Sequence, residues 1–224
     1  GCFAPSSAVT VVNAHRMVVA VGDRQTTLWD QIQYTGAPED FVWVLPVSAG
    51  VEVQLADQAF FDSLTEQTKL TMTAPARPLV CGDPCAIALG AFSSRGGPAY
   101  DAIGAGGVTV YHEGTVGPYE TATVGSSDPM ELVNWLEAHG YAVPTALFPT
   151  IQAYVEEGMS FAALRLRPGL GVTSMQPVRV TVPGLGLSFP LRMVAAGVQD
   201  RVKLELFVFA EGRMETANFP AEEV

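Results

Sequence analysis

Apolar and polar residues alternate with a period of two along much of the chain, most clearly from Gln25 to Val47, QTTLWDQIQYTGAPEDFVWVLPV. Leu28, Ile32 and Tyr34 fall on one face of this extended segment and Thr27, Gln31 and Gln33 on the other, as in a strand with one wet side. Phe41 to Val47 is apolar on both faces and suits the middle of a sheet. Gly36, Pro38 and Asp40 lie between the two runs and carry turn chemistry. The stretch therefore predicts two strands joined as a hairpin.

The same pattern extends in both directions. Ala8 to Asn13 and Arg16 to Val21 are short β-branched runs, and Gly22-Asp23 turns the second into the strand that starts at Gln25. From Ala56 to Gln67 the spacing becomes helical, with Phe60, Phe61 and Leu64 on one face and Asp57 placed to cap the start. Periodicity then stops. Residues 74–107 mix Pro75, Pro78, Pro84 and Pro98 with Gly96-Gly97 and Gly104 to Gly107, and predict a long loop or linker. Val108 to Tyr111 and Tyr119 to Val124 read as strands around a Gly114 to Pro118 turn region. Asp128-Pro129-Met130-Glu131 is a helix start, with Asp as N-cap and Pro at the first helical position. Leu132, Val133 and Leu136 form its buried stripe, Trp135 lies at the edge and Gly140 ends it. A second helix covers Pro149 to Glu157, with Ile151, Tyr154 and Val155 inward and Gly158 as its stop. Strands are expected at Phe161 to Leu166, Val178 to Val182, Leu187 to Met193 and Lys203 to Phe209. The plan is α+β with mostly antiparallel sheets: a sheet-plus-helix half over 1–73, the linker over 74–107, and a sheet-plus-helices half over 108–224.

Composition narrows the function classes. Apolar residues are 48% of the 224 and charged ones 16%, the balance of a turn-rich globular protein. Twelve basic against 23 acidic residues leave a net charge of −11, which repels nucleic acid and anionic lipid as principal partners. No apolar run approaches the roughly 20 residues of a membrane helix. Cys81 and Cys85 enclose Gly-Asp-Pro in the linker. A short-loop disulfide is the first expectation there and a metal pair the second, since no further ligands lie nearby. Cys2 is left over, and Gly1-Cys2-Phe3 suits a start left by removal of a signal peptide.

Several stretches taken together resemble a bacterial family of secreted proteins known as domain of unknown function 2330. They are VVAVGDRQTTLWDQIQYTGAPEDFVWVLPV, ADQAFFDSLTEQTK, GGVTVYHEGTVGPYETATVGSSDPMELVNWLEAHGYAVP, LFPTIQAYVEEGMSFAALRLRPG, and finally FPLRMVAA with METANFP, in the family's order. The resemblance implies a place in the envelope or outside the cell, where disulfides persist. It carries over no catalytic residue. Asp30 stands where the family pattern has an aliphatic side chain, and members continue beyond the METANFP segment, which implies a processed or trimmed form.

Candidate chemistry is sparse. Asp30 puts a carboxylate on the inward face of its strand, a costly place unless paired, with Arg16 and Arg24 as possible partners. His15, His112 and His139, expected on a turn, a strand end and a helix end, lack zinc spacing. Ser48, Ser93, Ser94, Ser126 and Ser127 sit in no nucleophile elbow. Glu156-Glu157 and Glu222-Glu223 read as solvated charge rather than calcium ligands. Trp29, on the polar face of its strand, is the ring available for stacking on a ligand, although packing explains it and Trp43 and Trp135 more simply. No cofactor or metal motif is present. The pattern points to a noncatalytic module that binds a protein partner or a copy of itself through sheet surface and the long loop. The alternative is a hydrolase with Asp30 and Asp40 in a cleft between the halves.

Overall fold

A computed structural model describes residues 2–3, 11–35, 42–69, 107–141, 143–184, 189–194, 201–212 and 214. Its strands are β1 (Cys2–Phe3), β2 (Val11–Val21), β3 (Gln25–Thr35), β4 (Val42–Val47), β5 (Val53–Leu55), β6 (Thr109–Val116), β7 (Tyr119–Gly125), β8 (Ser160–Leu166), β9 (Val178–Pro183) and β10 (Lys203–Phe209). Its α-helices are α1 (Gln58–Gln67), α2 (Pro129–Ala138), α3 (Phe148–Glu156) and α4 (Leu191–Val194). The class is α+β. A first sheet has the order β1-β4-β8-β7-β6 and a second the order β10-β2-β3-β9-β5. Every pairing is antiparallel except β10 with β2. Each sheet takes strands from both sides of the Pro/Gly-rich segment, of which 74–106 lie outside the described residues.

Local chemistry accounts for the helices. Asp57 accepts a hydrogen bond from the backbone of Ala59 at 2.9 Å and caps α1. Asp128 does the same for α2, accepting from Met130 at 2.8 Å, with Pro129 in the first turn. Gly140 closes α2 in the left-handed region (φ 81°), where the Tyr141 N–H reaches back to the Leu136 carbonyl at 2.8 Å.

The four layers follow from which faces are apolar. Val42 and Val44 of β4, Ala122 and Val124 of β7, and Phe161 and Ala163 of β8 meet Leu132, Leu136, Ile151, Tyr154, Val155 and Met193 from the helices. The opposite face of the same sheet presents Trp43, Leu45, Val47, Tyr119, Ala162, Leu164 and Leu166 to Val12, Ile32, Val53, Val178 and Val180 of the second sheet. The far face of that sheet is covered by α1. There Trp29 packs on Phe60, ring centroids 5.3 Å apart, and the Arg16 guanidinium lies over Phe61. At the opposite end, the tight β6–β7 turn holds Gly117 at φ 57°, and a Cβ there would come within 2.5 Å of a Leu55 methyl on β5.

Three expectations are corrected. β3 and β4 do not form a hairpin: β3 lies between β2 and β9, and β4 lies between β1 and β8 in the other sheet. A strand apolar on both faces needs two covers, and the first sheet gives β4 both, the helices on one side and the second sheet on the other. Of the runs expected at Ala8 to Asn13 and Arg16 to Val21, residues 8–10 lie outside the described residues, and the rest belongs to one strand over Val11–Val21, with a register shift between Val12 and Ala14. The strand expected at Leu187 to Met193 is not seen over its described residues, 189–193, which lead into α4, while 187–188 lie outside the described residues. Pro190 removes a ladder donor and sets the dihedral of a helical first turn, and its carbonyl accepts from Met193 and Val194.

Candidate functional site: the free edge of the second sheet

The strand β10 reads Lys-Leu-Glu-Leu-Phe-Val-Phe and pairs in parallel with β2, Leu204 beside His15, Leu206 beside Met17 and Val208 beside Val19. Bridge partners share a face, so Leu204, Leu206 and Val208 point the same way as the inter-sheet core. Yet Met17 and Val19 are buried, whereas the three β10 side chains are 40%, 39% and 40% exposed. Cover from the first sheet reaches β2 and stops short of β10. Of the eight large exposed apolar side chains among the described residues, four are on β10, including Phe209, which makes it the main apolar surface. Among the described residues its outer edge has no strand partner.

The other face of β10 borders the end of α1. Thr65, Glu66, Thr68 and Lys69 with Glu205, Leu206 and Phe207 line a groove of about 510 Å³. Lys203 and Glu205 form an ion pair along the strand, and the second Glu205 oxygen is buried without a hydrogen-bond partner among the described residues. A free edge with an uncharged row of side chains on one face and a groove on the other can accept an additional strand, the backbone supplying hydrogen bonds and the row supplying contact area.

The residues singled out by sequence lie elsewhere. Asp30 faces inward as expected, but its neighbour is neither Arg16 nor Arg24. Its Oδ1 lies 3.7 Å from Nδ1 of His15, and both side chains are 1% exposed. His15 is thus in the middle of β2 rather than on a turn. Neither imidazole nitrogen of His15 nor Oδ1 of Asp30 has a hydrogen bond among the described residues. Arg16 points through the other face, where Nε donates to Gln31 at 2.7 Å and the guanidinium reaches Asp62 at 3.2 Å. Arg24 is exposed in the β2–β3 turn. Trp29 is half-buried beneath Phe60. Asp40, Cys81 and Cys85 lie outside the described residues, as do Ser93, Ser94 and Glu222-Glu223.

The remaining candidates have local roles. His139 ends α2, its Nδ1 2.7 Å from the Trp135 carbonyl and its ring stacked on Trp135 at 3.9 Å. The Nε2 atom of His112 on β6 lies 3.3 Å from the Gly50 carbonyl. Ser126 accepts from the Asp128 backbone at 3.0 Å, and Glu157 pairs with Arg192 at 2.5 Å. Among the described residues no three His, Cys, Asp or Glu side chains are grouped to hold a metal ion. No described helix is long and apolar enough to cross a membrane.

Sequence reasoning placed β10 within its observed bounds and missed its position at the sheet edge. The available signal was composition: Leu206 to Phe209 is four apolar residues in a row, which predicts cover on both sides, and only the partner order reveals that cover is absent. His15 was also missed as the neighbour of Asp30. Counting outward from the Gly22-Asp23 turn brings Met17 opposite Asp30 and His15 opposite Ile32, one step along the same face.

No curated protein and no solved structure matches the chain. The sequence profile of a family described as uncharacterized protein conserved in bacteria, DUF2330, matches residues 1–223. With nearly its full length matched, the chain belongs to that bacterial family.

Proposed function

We propose that the protein is a noncatalytic secreted or cell-envelope module that binds protein through the outer edge of β10. The observation that carries this reading is the combination on one strand of an edge without a partner among the described residues and a row of half-exposed Leu204, Leu206 and Val208. Edge strands in stable monomers are blunted by inward charges, Pro or bulges. The Leu204, Leu206, Val208 row of β10 carries none of these, and the strand's single charged pair lies on the other face. The extracytoplasmic location rests on the resemblance to secreted proteins, and it would permit a disulfide between Cys81 and Cys85. Against a hydrolase, Asp30 is sealed between the sheets, where a substrate does not reach its carboxylate.

Site-specific photocrosslinking in the bacterium that makes the protein tests the reading. A photoreactive residue at position 204, 206 or 208 is expected to give polypeptide adducts, and one at exposed Glu131 of α2 is not. Absence of adducts from all three β10 positions would overturn it.

A further inference from the structure

We infer that the strand received by β10 is the β10 of a second copy of this chain, paired antiparallel about a two-fold axis at Leu206. The inference rests on the binding role proposed for this edge and names its occupant.

Three observations lead to it. First, Leu206 is the midpoint of Lys203–Phe209, so a two-fold axis there engages the whole strand. Leu206 then meets Leu206, and Leu204 meets Val208, which closes the exposed apolar row over its own image; Glu205 faces Phe207 and Lys203 faces Phe209 on the other side.

Second, charge and overlap together fix the register. The same axis brings Arg201 of one copy opposite Glu211 of the other, twice by symmetry, and both side chains are exposed. An axis one residue earlier sets Glu205 against Glu205. An axis at Phe207 shortens the overlap to 205–209, and one at Leu204 shortens it to 203–205. The midpoint register is the one that unites full overlap, apolar matching and opposite charges.

Third, the edge escapes the charge of the whole molecule. The chain carries −11, which opposes contact between copies over most surfaces. Residues 201–211 hold Arg201 and Lys203 against Glu205 and Glu211, a net charge of zero. An isologous contact of this kind needs one patch only, and it joins two five-stranded sheets into one continuous sheet.

The test is the mass of the full chain in solution, by sedimentation or light scattering over a concentration series, for the parent and four variants. The parent is expected to show twice the mass of one chain. L206K sets like charges across the axis and is expected to dissociate it. R201E and E211R each oppose like charges at both ends and weaken the dimer by on the order of tenfold. R201E combined with E211R restores opposite charges and returns the affinity to within about threefold of the parent, an outcome that mere damage to the strand does not give. Unchanged circular dichroism shows that each variant is folded. A parent of single-chain mass up to about 100 μM, a dimer indifferent to L206K, or a double variant no tighter than the single ones would each overturn the self-pairing. A monomer that still crosslinks from position 206 to a different polypeptide overturns the self-pairing and leaves the binding role standing; a monomer without adducts overturns both.

Discussion

Asp30 and His15 occupy positions where neighbouring residues of the same face are Val12, Met17, Ile32 and Val178, all buried. Burying either polar group alone costs several kcal/mol, and at 3.7 Å they compensate each other by proximity rather than by a hydrogen bond. Pairs of this kind contribute little net stability, because desolvation offsets attraction, whereas removing one partner strands the other. The consequence is a non-additive pair of substitutions. Asp30→Leu alone and His15→Leu alone are each expected to cost about 3 kcal/mol, and the double variant to unfold at close to the parent's urea concentration. Urea unfolding of the four proteins measures this. If the two single losses simply add, the side chains are not compensating each other.

At the scale of elements, α1 is held on the second sheet by a polar set as well as by rings. Arg16 is buried against Phe61, donates to Gln31 and reaches both Asp62 and Thr65 at 3.2 Å; Gln31 in turn bonds to Gln58. Arg16→Met keeps an apolar stem over Phe61 and leaves the Gln31 oxygen without its donor, so it is expected to cost about 1–3 kcal/mol. Because Asp62 is largely exposed, most of that loss comes from Gln31 and Phe61. Amide exchange in Gln58–Gln67 is expected to quicken before exchange in β2 and β3 does, and equal acceleration throughout would argue against a local role. Elements with local signals were legible in the sequence. Asp57, Asp128 and Pro129 mark helix starts within a few residues, and the Gly22-Asp23 turn marks its hairpin. Pairing was legible only where a tight turn enforced it. The partner of Leu28 on its second side is Val180, more than 150 residues away, and nothing local to β3 names it. The edge position of β10 was hidden for the same reason, and the candidate site with it.

For the whole molecule, the side of the first sheet that carries the helices contains two phenols whose ionisation is tied to folding. Tyr141 follows α2 and Tyr154 lies on α3, and both belong to the core that joins the helices to the first sheet. Burial is the main cause that raises each above the ordinary 10.0; Arg165 beside Tyr141, and a backbone hydrogen bond at Met193 with Arg192 beside Tyr154, oppose it without cancelling it. A group whose pKa is raised on folding favours the folded state while it is protonated in both states. The unfolded chain then releases its phenol protons first as pH rises. Stability should therefore be level up to about pH 9, begin to fall near the unfolded value of about 10, and go on falling until the folded phenols ionise. Tyr141→Phe and Tyr154→Phe each remove one of the two linked protons, so the double variant should lose less stability between about pH 10 and 11 than the parent does. Urea unfolding across that range, with phenolate absorbance followed on the folded protein, measures both parts. An equal alkaline loss in the double variant would place the sensitivity outside this core, and early phenolate absorbance from the folded parent would show that the helices do not seal it.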